Sequence, residues 1–162
     1  MKRDELTEHI RFLKEAIKEA RKGMNAGKGG PFGAVIVKNG KIIARGCNQV
    51  TSTNDPTCHA EVDAIRKACA KLKNFELKDC VIYSSCEPCP MCLGAIYWAR
   101  PKALYYAADR VRAAASDFDD AVIYKEVPLP PGKRTLPTVQ IKLPGRNEPF
   151  DEWDKKEDKT AY

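Results

Sequence analysis

The fold of this chain is decided by two short stretches, Cys58-His59-Ala60-Glu61-Val62 and Ser85-Cys86-Glu87-Pro88-Cys89-Pro90-Met91-Cys92. The first contains the pair His-x-Glu, and the second contains the run Pro-Cys-x-x-Cys. An imidazole nitrogen and two thiolates are ligands that zinc prefers, and three protein ligands leave its fourth tetrahedral position open for water. The two stretches therefore predict a zinc site held by His59, Cys89 and Cys92.

Glu61 follows the histidine by two residues and is the expected proton carrier of such a site. His-x-Glu followed by Pro-Cys-x-x-Cys is the signature of zinc-dependent deaminases, in which the glutamate acts as acid and base and does not bind the metal. A carboxylate beside a metal-activated water is well suited to move protons. We interpret the site as open and catalytic; the alternative for Glu61 is an ordinary solvated carboxylate.

Cys86 leaves a second interpretation of the metal site open. It lies three residues before Cys89 and could join the other ligands in a closed, purely structural zinc site. Pro90 is favoured at the first position of a helix, which would bring Cys89 and Cys92 to one helix N-terminus. In that arrangement Cys86 falls in the preceding turn and faces elsewhere.

Apolar periodicity predicts the regular elements. A stripe with spacings of four and three predicts a first helix and is interpreted as its core face: Leu6, Ile10, Leu13, Ile17, Ala20 and Met24. Asn39-Gly40 between two apolar runs predicts a hairpin. Strands are expected at residues 34–37, 42–44, 80–84, 103–107 and 138–143. Alternation of strands with helices favours a largely parallel sheet, whose sites lie at the C-terminal ends of its strands.

Length and composition are those of a single globular domain, residues 1–162, with 43% hydrophobic and 31% charged residues. No apolar run is long enough to span a bilayer, and no signal peptide is expected at the N-terminus. Seven cysteines without an export signal favour a reducing compartment, so we expect a cytoplasmic protein with no membrane partner. The net charge of +6 is spread along the chain and is interpreted as a solvated basic surface, so no nucleic-acid partner is expected.

Two polar segments have no decisive pattern of their own. Asn48 follows the hairpin and is either a turn residue or a group that hydrogen-bonds a ligand. The charged C-terminal residues 149–162 place Phe150 and Trp153 one helical turn apart. This end is either a frayed terminus or a cover over a pocket.

Further motifs resemble one family over nearly the whole chain. They are Gly29-Gly30-Pro31-Phe32-Gly33-Ala34, Asn54 through Glu61, Cys86 through Arg100, Phe118-Asp119-Asp120 and the terminal Tyr162. With these motifs the chain resembles the cytidine deaminase-like superfamily, and within it the bacterial guanine deaminase branch. The zinc motifs are typical of the whole superfamily, whereas the Pro-Phe-Gly run, the Phe-Asp-Asp turn and the terminal tyrosine are typical of the branch.

The resemblance implies an α/β fold, a three-layer α/β/α sandwich with a central mixed five-stranded sheet. It implies a homodimer in which the C-terminal segment, residues 145–162, is exchanged between subunits and closes the partner's active site. One Zn²⁺ per subunit would be bound by His59, Cys89 and Cys92. The catalytic residues would be Glu61 and Asp120, and the substrate would contact Phe32, Asn48, Ala60, Trp98 and Tyr162.

The implied reaction is zinc-dependent hydrolytic deamination of guanine to xanthine and ammonia, with water attacking C2 and Glu61 as proton shuttle. A tRNA adenosine deaminase is the first alternative, because that family shares both zinc motifs and the +6 charge suits RNA. Against it, Pro31-Phe32-Gly33 stands where that family typically has Pro-Val-Gly, and residues 107–120 lack its usual Lys-Thr-Gly segment. A guanosine or aminotriazine deaminase is a nearer alternative. A zinc-stabilised binding module without catalysis would need Cys86 as fourth ligand.

Overall fold

A computed structural model describes residues 3–161 of the chain. The chain divides into two compact units, one ending at Asp120 and the other beginning at Ala121. Tyr162, one of the predicted substrate contacts, lies outside the described residues. No helix between residues 3 and 161 is both long enough and apolar enough to cross a membrane.

The first unit alternates helices and strands. Its elements are α1 (Arg3–Asn25), β1 (Gly33–Lys38), β2 (Lys41–Cys47), α2 (Val50–Thr53), α3 (Ala60–Leu72), β3 (Cys80–Cys86), α4 (Pro90–Ala99), β4 (Ala103–Ala108) and α5 (Arg110–Ala114). β1 and β2 form the predicted hairpin. Both turn residues, Asn39 and Gly40, have positive φ, 50° and 70°, which is the backbone that a two-residue type I′ turn requires.

The sheet is mixed, and its strand order is β2-β1-β3-β4. β1 runs antiparallel to both of its neighbours, and only β3 and β4 are parallel within the described sheet. The expectation of a largely parallel sheet was wrong because the alternation of strands and helices does not set the direction of the hairpin strands. β3 and β4 are joined by α4, the crossover connection that a parallel pair needs.

The sheet has four strands and not the five that were predicted. Residues 138–143 are the difference, because they form no strand and pair with none of the described strands. Val139 and Ile141 remain 82% and 76% exposed. An alternating pattern stabilises a strand only when one face is buried against other elements, and this segment has no buried face.

Helices cover both faces of the sheet, so the predicted three-layer α/β/α arrangement is confirmed. Side chains alternate along β1. Val35 and Val37 pack with Phe12 and Ala16 of α1 on one face. The opposite face packs against α3 and α4 through a larger cluster that includes Ala34, Ile36, Ala64, Ile82 and Ile96.

The buried face of α1 agrees with the predicted stripe only at Ala20, which is buried, and at Leu13, which packs against the core while partly exposed. Phe12, Ala16, Ala20 and Gly23 are buried, whereas Leu6, Ile10, Ile17 and Met24 are each more than 40% exposed. Both stripes have helical spacing, so periodicity could not choose between them. The smaller side chains face the sheet because the helix backbone at Ala16 and Ala20 lies directly against Gly33, where a Cβ atom would collide with it.

The second unit contains α6 (Ala121–Glu126), a short 3₁₀ helix (Pro131–Lys133) and α7 (Glu148–Lys155). Within this unit the carboxylate of Glu126 accepts a hydrogen bond of 2.7 Å from the backbone N–H of Thr135. The Nε of Arg134 donates to the carbonyl of Leu129 at 3.1 Å. These two bonds brace the Pro-rich turn between α6 and the extended residues that follow.

Candidate metal centre

The three predicted zinc ligands lie at the first residues of two helices. His59 is the N-cap of α3, with extended backbone angles (φ −74°, ψ 159°). Cys89 is the N-cap of α4, Pro90 takes the first helical position as predicted, and Cys92 follows in the first turn. The carbonyls of His59 and Cys89 accept the first helical hydrogen bonds, at 2.9 and 2.8 Å. The chain therefore presents its ligands from rigid helix ends.

The distances between the ligand atoms fit a zinc ion. His59 Nδ1 lies 3.5 Å from the Sγ of Cys89 and 3.4 Å from the Sγ of Cys92. All three ligand atoms lie within 4.8 Å of one another. Zinc bonds of ordinary length in a tetrahedral arrangement separate a nitrogen from a sulfur ligand by about 3.5 Å. The residues present therefore fit zinc without rearrangement.

Cys86 is not part of this group. It ends β3, and its Sγ lies 3.5 Å from the carbonyl oxygen of Asp109 as a donor. Among the described residues the His/Cys/Asp/Glu cluster that could hold a metal consists of His59, Cys89 and Cys92. Burial raises the pKa of the Cys86 thiol to about 11, but its separate hydrogen bond and its absence from the ligand group are what set it apart.

The ligand group itself favours a thiolate. Hydrogen bonding from Cys92, and then from the His59 ring, lowers the pKa of Cys89 to about 4. The charge on Cys89 in turn raises the pKa of His59 through their hydrogen bond. The same interaction with Cys89, together with burial, raises the pKa of Cys92. The lowered pKa of Cys89 favours the thiolate form, which is the form that binds a metal ion.

Glu61 lies in the first turn of α3 and is buried, with 4% of its surface exposed. The hydroxyl of Ser84 donates a hydrogen bond of 2.8 Å to its Oε1. Burial is the main cause that raises the pKa of this carboxyl. A buried carboxyl with a raised pKa can take up a proton and release it again, which a surface carboxylate does less readily.

Asn48 is buried at the end of β2, with 5% of its surface exposed. Its Oδ1 accepts hydrogen bonds from the backbone N–H groups of Gly30 and Val50, both at 3.2 Å. Its amide nitrogen takes no part in the hydrogen bonds between described residues. The side chain is therefore held by its oxygen and keeps two N–H donors for another group.

The Pro-Phe-Gly run and the Phe-Asp-Asp turn are far apart in the sequence but contact each other. The rings of Phe32 and Phe118 pack edge to face, with centroids 4.9 Å apart at 89°. Gly30 lies against Phe118, where a Cβ atom would approach the ring to 3.0 Å. Asp120, two residues further, is partly buried; burial and the charge of Cys89 raise its pKa. The Phe-Asp-Asp turn therefore lies within electrostatic reach of the metal ligands.

Two further predicted substrate contacts, Ala60 and Trp98, differ in their burial. Ala60 is completely buried between His59 and Glu61 at the start of α3. Trp98 lies near the end of α4 and is 63% exposed. A rise of 1.5 Å per residue places it roughly 9 Å along the helix axis from Cys92. Phe32 packs against the cluster that contains Ala60, and the residue after Asn48 bonds the carbonyl of Cys58, next to His59. Trp98 lies at the opposite end of α4 from Cys92.

The sequence did not reveal three residues that shape this site. Ser84 holds Glu61, Phe118 packs on Phe32, and Asp63 hydrogen-bonds the backbone N–H of Cys47 beside Asn48. Phe118 belongs to the Phe-Asp-Asp turn, but that motif did not indicate its contact with Phe32. Neither Ser84 nor Asp63 belongs to a spacing pattern, because each acts through a contact between distant segments.

Comparison with known proteins agrees with the geometry. Residues 6–108 match the family described as the cytidine and deoxycytidylate deaminase zinc-binding region. The chain is 58% identical over 154 residues to guanine deaminase of Bacillus subtilis, covering 95% of this chain and 99% of that protein. The X-ray structure of the Bacillus subtilis guanine deaminase superimposes on this chain with a TM-score of 0.93, over 95% of this chain and 98% of that one. A tRNA-specific adenosine deaminase of Aquifex aeolicus is 42% identical over 100 residues, which are 61% of this chain and 66% of that protein.

Proposed function

The chain belongs to the zinc-dependent cytidine and deoxycytidylate deaminase family, and from this premise we propose that it hydrolyses guanine to xanthine and ammonia. The observation that carries the proposal is the extent of the match to guanine deaminase, 58% identity over 95% of the chain. That match includes the second compact unit. The match to the Aquifex tRNA-specific adenosine deaminase covers only 61% of the chain.

The cofactor is zinc, and we propose that His59, Cys89 and Cys92 hold one ion per subunit. When bound, zinc lowers the pKa of a water molecule in its open position towards ~7. The distances between the three ligand atoms support this assignment, as does the separate hydrogen bond that Cys86 makes.

Glu61 is the proposed proton carrier. It carries one proton of the attacking water to a ring nitrogen and the second proton of that water to the amino group on C2. The C2–N bond breaks, a C2–O bond forms, and guanine and water become xanthine and ammonia. Its burial and its bond from Ser84 support this role, because both keep the carboxyl in one orientation away from bulk water.

The base is recognised by the residues around Asn48. The two free N–H donors of Asn48 suit an acceptor on the purine edge, and its oxygen is held by two backbone groups. Phe32, braced by Phe118, offers an aromatic wall to the flat base. Ala60 leaves room beside His59. Asp120 is proposed to bind the base and assist proton transfer, which its raised pKa supports.

The C-terminal segment is proposed to complete the site. We treat residues 1–162 as one deaminase domain in which residues 145–162, including Tyr162, close an active site, exchanged between the subunits of a homodimer. Exposed apolar side chains in the second unit support a contact with another surface. Phe150 of α7 is 71% exposed, Val139 is 82% exposed and Ile141 is 76% exposed. Trp98, also exposed, would line the closed site.

A cytoplasmic location is proposed on the cysteines. All seven are free thiols, and two of them are metal ligands that oxidation would destroy. A reducing compartment preserves such thiols.

A tRNA adenosine deaminase remains the second candidate, because its relatives share the zinc motifs and the net charge of +6 suits an RNA. The two candidates differ in substrate size. A free base fits inside a closed pocket, whereas a tRNA loop requires an open one.

The test is ammonia release from the zinc-loaded protein with guanine, guanosine, an aminotriazine, adenine, cytidine and a tRNA anticodon stem-loop in parallel. We expect guanine to be the best substrate by kcat/KM, with xanthine as product. Release from the stem-loop alone would replace the proposal with the second candidate. Release from guanosine or the aminotriazine in preference to guanine would move it to that substrate. Silence on every substrate would favour a zinc-stabilised binding module.

A further inference from the structure

The last three residues of β2, Arg45, Gly46 and Cys47, each contact α3. The Nζ of Lys67 donates to the carbonyl of Arg45 at 3.2 Å. The backbone N–H of Cys47 donates to Oδ2 of Asp63 at 3.3 Å. Residue 46 between them is glycine. A strand is rarely held to a helix by backbone groups, because its N–H and C=O groups normally serve the sheet.

Gly46 brings the two backbones into contact. A Cβ atom at this position would collide with the carbonyl oxygen of Ala60 and would lie 2.6 Å from the backbone nitrogen of Ala64. No larger side chain fits without moving α3 away from β2. The strand end and the first turns of α3 therefore form one packed unit.

Asp63 is the centre of this connection. Its side chain is 10% exposed, and its Oδ2 accepts both the N–H of Cys47 and, at 2.7 Å, the ammonium group of Lys67. A buried carboxylate is tolerated when it is paired and hydrogen-bonded, and removing one partner is costly. Asp63 has both kinds of partner, and each of them is bonded to the same strand end.

The two segments joined in this way carry different parts of the site. Asn48 directly follows Cys47, and its side chain is oriented by Gly30 and Val50. His59 caps α3, and Glu61 lies in its first turn. The contact of α3 with β2 therefore helps to set the distance between the group that would bind the base and the group that would move the proton. It does so together with the bond of 3.0 Å that the backbone N–H of Gln49 donates to the carbonyl of Cys58.

We propose that Asp63 is a positioning residue that, with Lys67, fixes the base-binding Asn48 relative to Glu61 and the metal ligands. It touches neither substrate nor metal and acts through the backbone N–H of Cys47. This inference rests on the proposed function for its effect on guanine, but not for the contact itself. Loss of the Oδ2 acceptor loosens the strand end, which still pairs with β1 and bonds the carbonyl of Phe32 through the N–H of Asn48. A shift of Asn48 then weakens productive binding of the base.

The test compares Asp63→Ala, Asp63→Asn and the control Asp79→Ala in the zinc-loaded protein. Asparagine keeps an oxygen that can accept from Cys47, whereas alanine does not. Asp79 lies on the surface and pairs with Lys38 at 3.6 Å. We expect Asp63→Ala to raise the KM for guanine by about 10-fold or more with zinc content unchanged, since small displacements of positioning groups have such effects. Asp63→Asn should keep the KM for guanine close to that of the wild type. A purely structural role would lower the amount of folded protein and leave KM unchanged, which would overturn the proposal.

Amide hydrogen exchange separates this inference from the proposed function. We expect Asp63→Ala to speed exchange at the backbone of residues 46–50 by about 10-fold or more, which is what the opening of a single local hydrogen bond allows. Asp63→Asn and Asp79→Ala should leave it near the wild-type rate. Unchanged exchange in Asp63→Ala would overturn the inference even if guanine is the substrate. Conversely, a wild-type protein inactive on guanine would refute the proposed function, while the exchange rates would still decide whether Asp63 holds the strand end.

Discussion

The hydroxyl of Ser84 donates a hydrogen bond of 2.8 Å to Oε1 of Glu61, and both side chains are buried. The bond joins the first turn of α3 to β3, an inner strand of the sheet. It holds one oxygen of the carboxyl group in place. The orientation of the proposed proton carrier thus depends on a serine that belongs to no motif.

We expect Ser84→Ala to lower kcat for guanine by about 10- to 100-fold, because a carboxyl that is free to rotate is less often correctly placed. Zinc content should not change. The measurement is steady-state ammonia release with metal analysis of the same samples. A kcat within twofold of the wild type would show that Ser84 does not orient Glu61.

Ser85→Ala is the matched control. The neighbouring hydroxyl of Ser85 accepts a hydrogen bond of 3.0 Å from the backbone N–H of Gly33 instead. Its removal should cost about 1–3 kcal/mol in the free energy of unfolding, because a buried N–H loses its partner. The kcat per folded molecule should remain near that of the wild type. The two adjacent serines would then separate an effect on catalysis from an effect on stability.

Replacement of the proton carrier itself should be more severe. Glu61→Gln keeps the size of the side chain and can still interact with Ser84, but it cannot carry a proton. We expect zinc to remain bound while kcat falls by about 10²- to 10⁴-fold, the range that general acid–base catalysis contributes. Glu8→Gln on α1 is the control, because its side chain is 51% exposed. Retained turnover in Glu61→Gln would remove this residue from the proposed mechanism.

Metal analysis of cysteine variants distinguishes an open site from a closed one. Cys89→Ser and Cys92→Ser should each lose most of the bound zinc, because a thiolate ligand is removed. Cys86→Ser should keep one zinc per chain, since its sulfur bonds the carbonyl of Asp109 and lies outside the ligand group. Loss of zinc from Cys86→Ser would support the closed, structural site instead.

Complementation tests the exchange of the C-terminal segment. If Tyr162 of one subunit closes the site that contains Glu61 of the other, Glu61→Gln and Tyr162→Ala should each be inactive alone. Co-refolding the two variants should restore up to about one quarter of wild-type activity, because half of the subunits pair with the other variant and each mixed dimer has one intact site. No recovery from a confirmed mixed dimer would show that each segment closes its own site. Full activity of Tyr162→Ala alone would refute the closing role.

Much of the site could be predicted because its chemistry is local. His59, Cys89 and Cys92 were identified by residue type, and Pro90 placed two of them at a helix start, where the structure has them. The Asn39-Gly40 hairpin was equally predictable, since the two-residue turn requires positive φ at both of its residues and asparagine and glycine adopt it readily. These features are decided within a few positions of the chain.

The predictions that failed depend on partners distant in the sequence. Residues 138–143 alternate like a strand but have no strand beside them. The predicted stripe through Leu6, Ile10 and Ile17 has helical spacing, yet Phe12 and Ala16 are the residues buried beside Ala20, because Gly33 allows close backbone contact there. In both cases the local pattern was compatible with a structure that the rest of the molecule did not support.

By itself the sequence predicted the group of His59, Cys89 and Cys92, the proposed proton carrier and the elements that bear them, because residue types, turn residues and apolar spacing can be recognised without knowledge of the fold. Only the tertiary structure decided that Ser84 orients Glu61, that Asp63 ties α3 to the strand before Asn48, and that Cys86 bonds Asp109 and not the metal group. Each of these contacts joins segments far apart in the chain, and long-range packing alone determines which side chains meet.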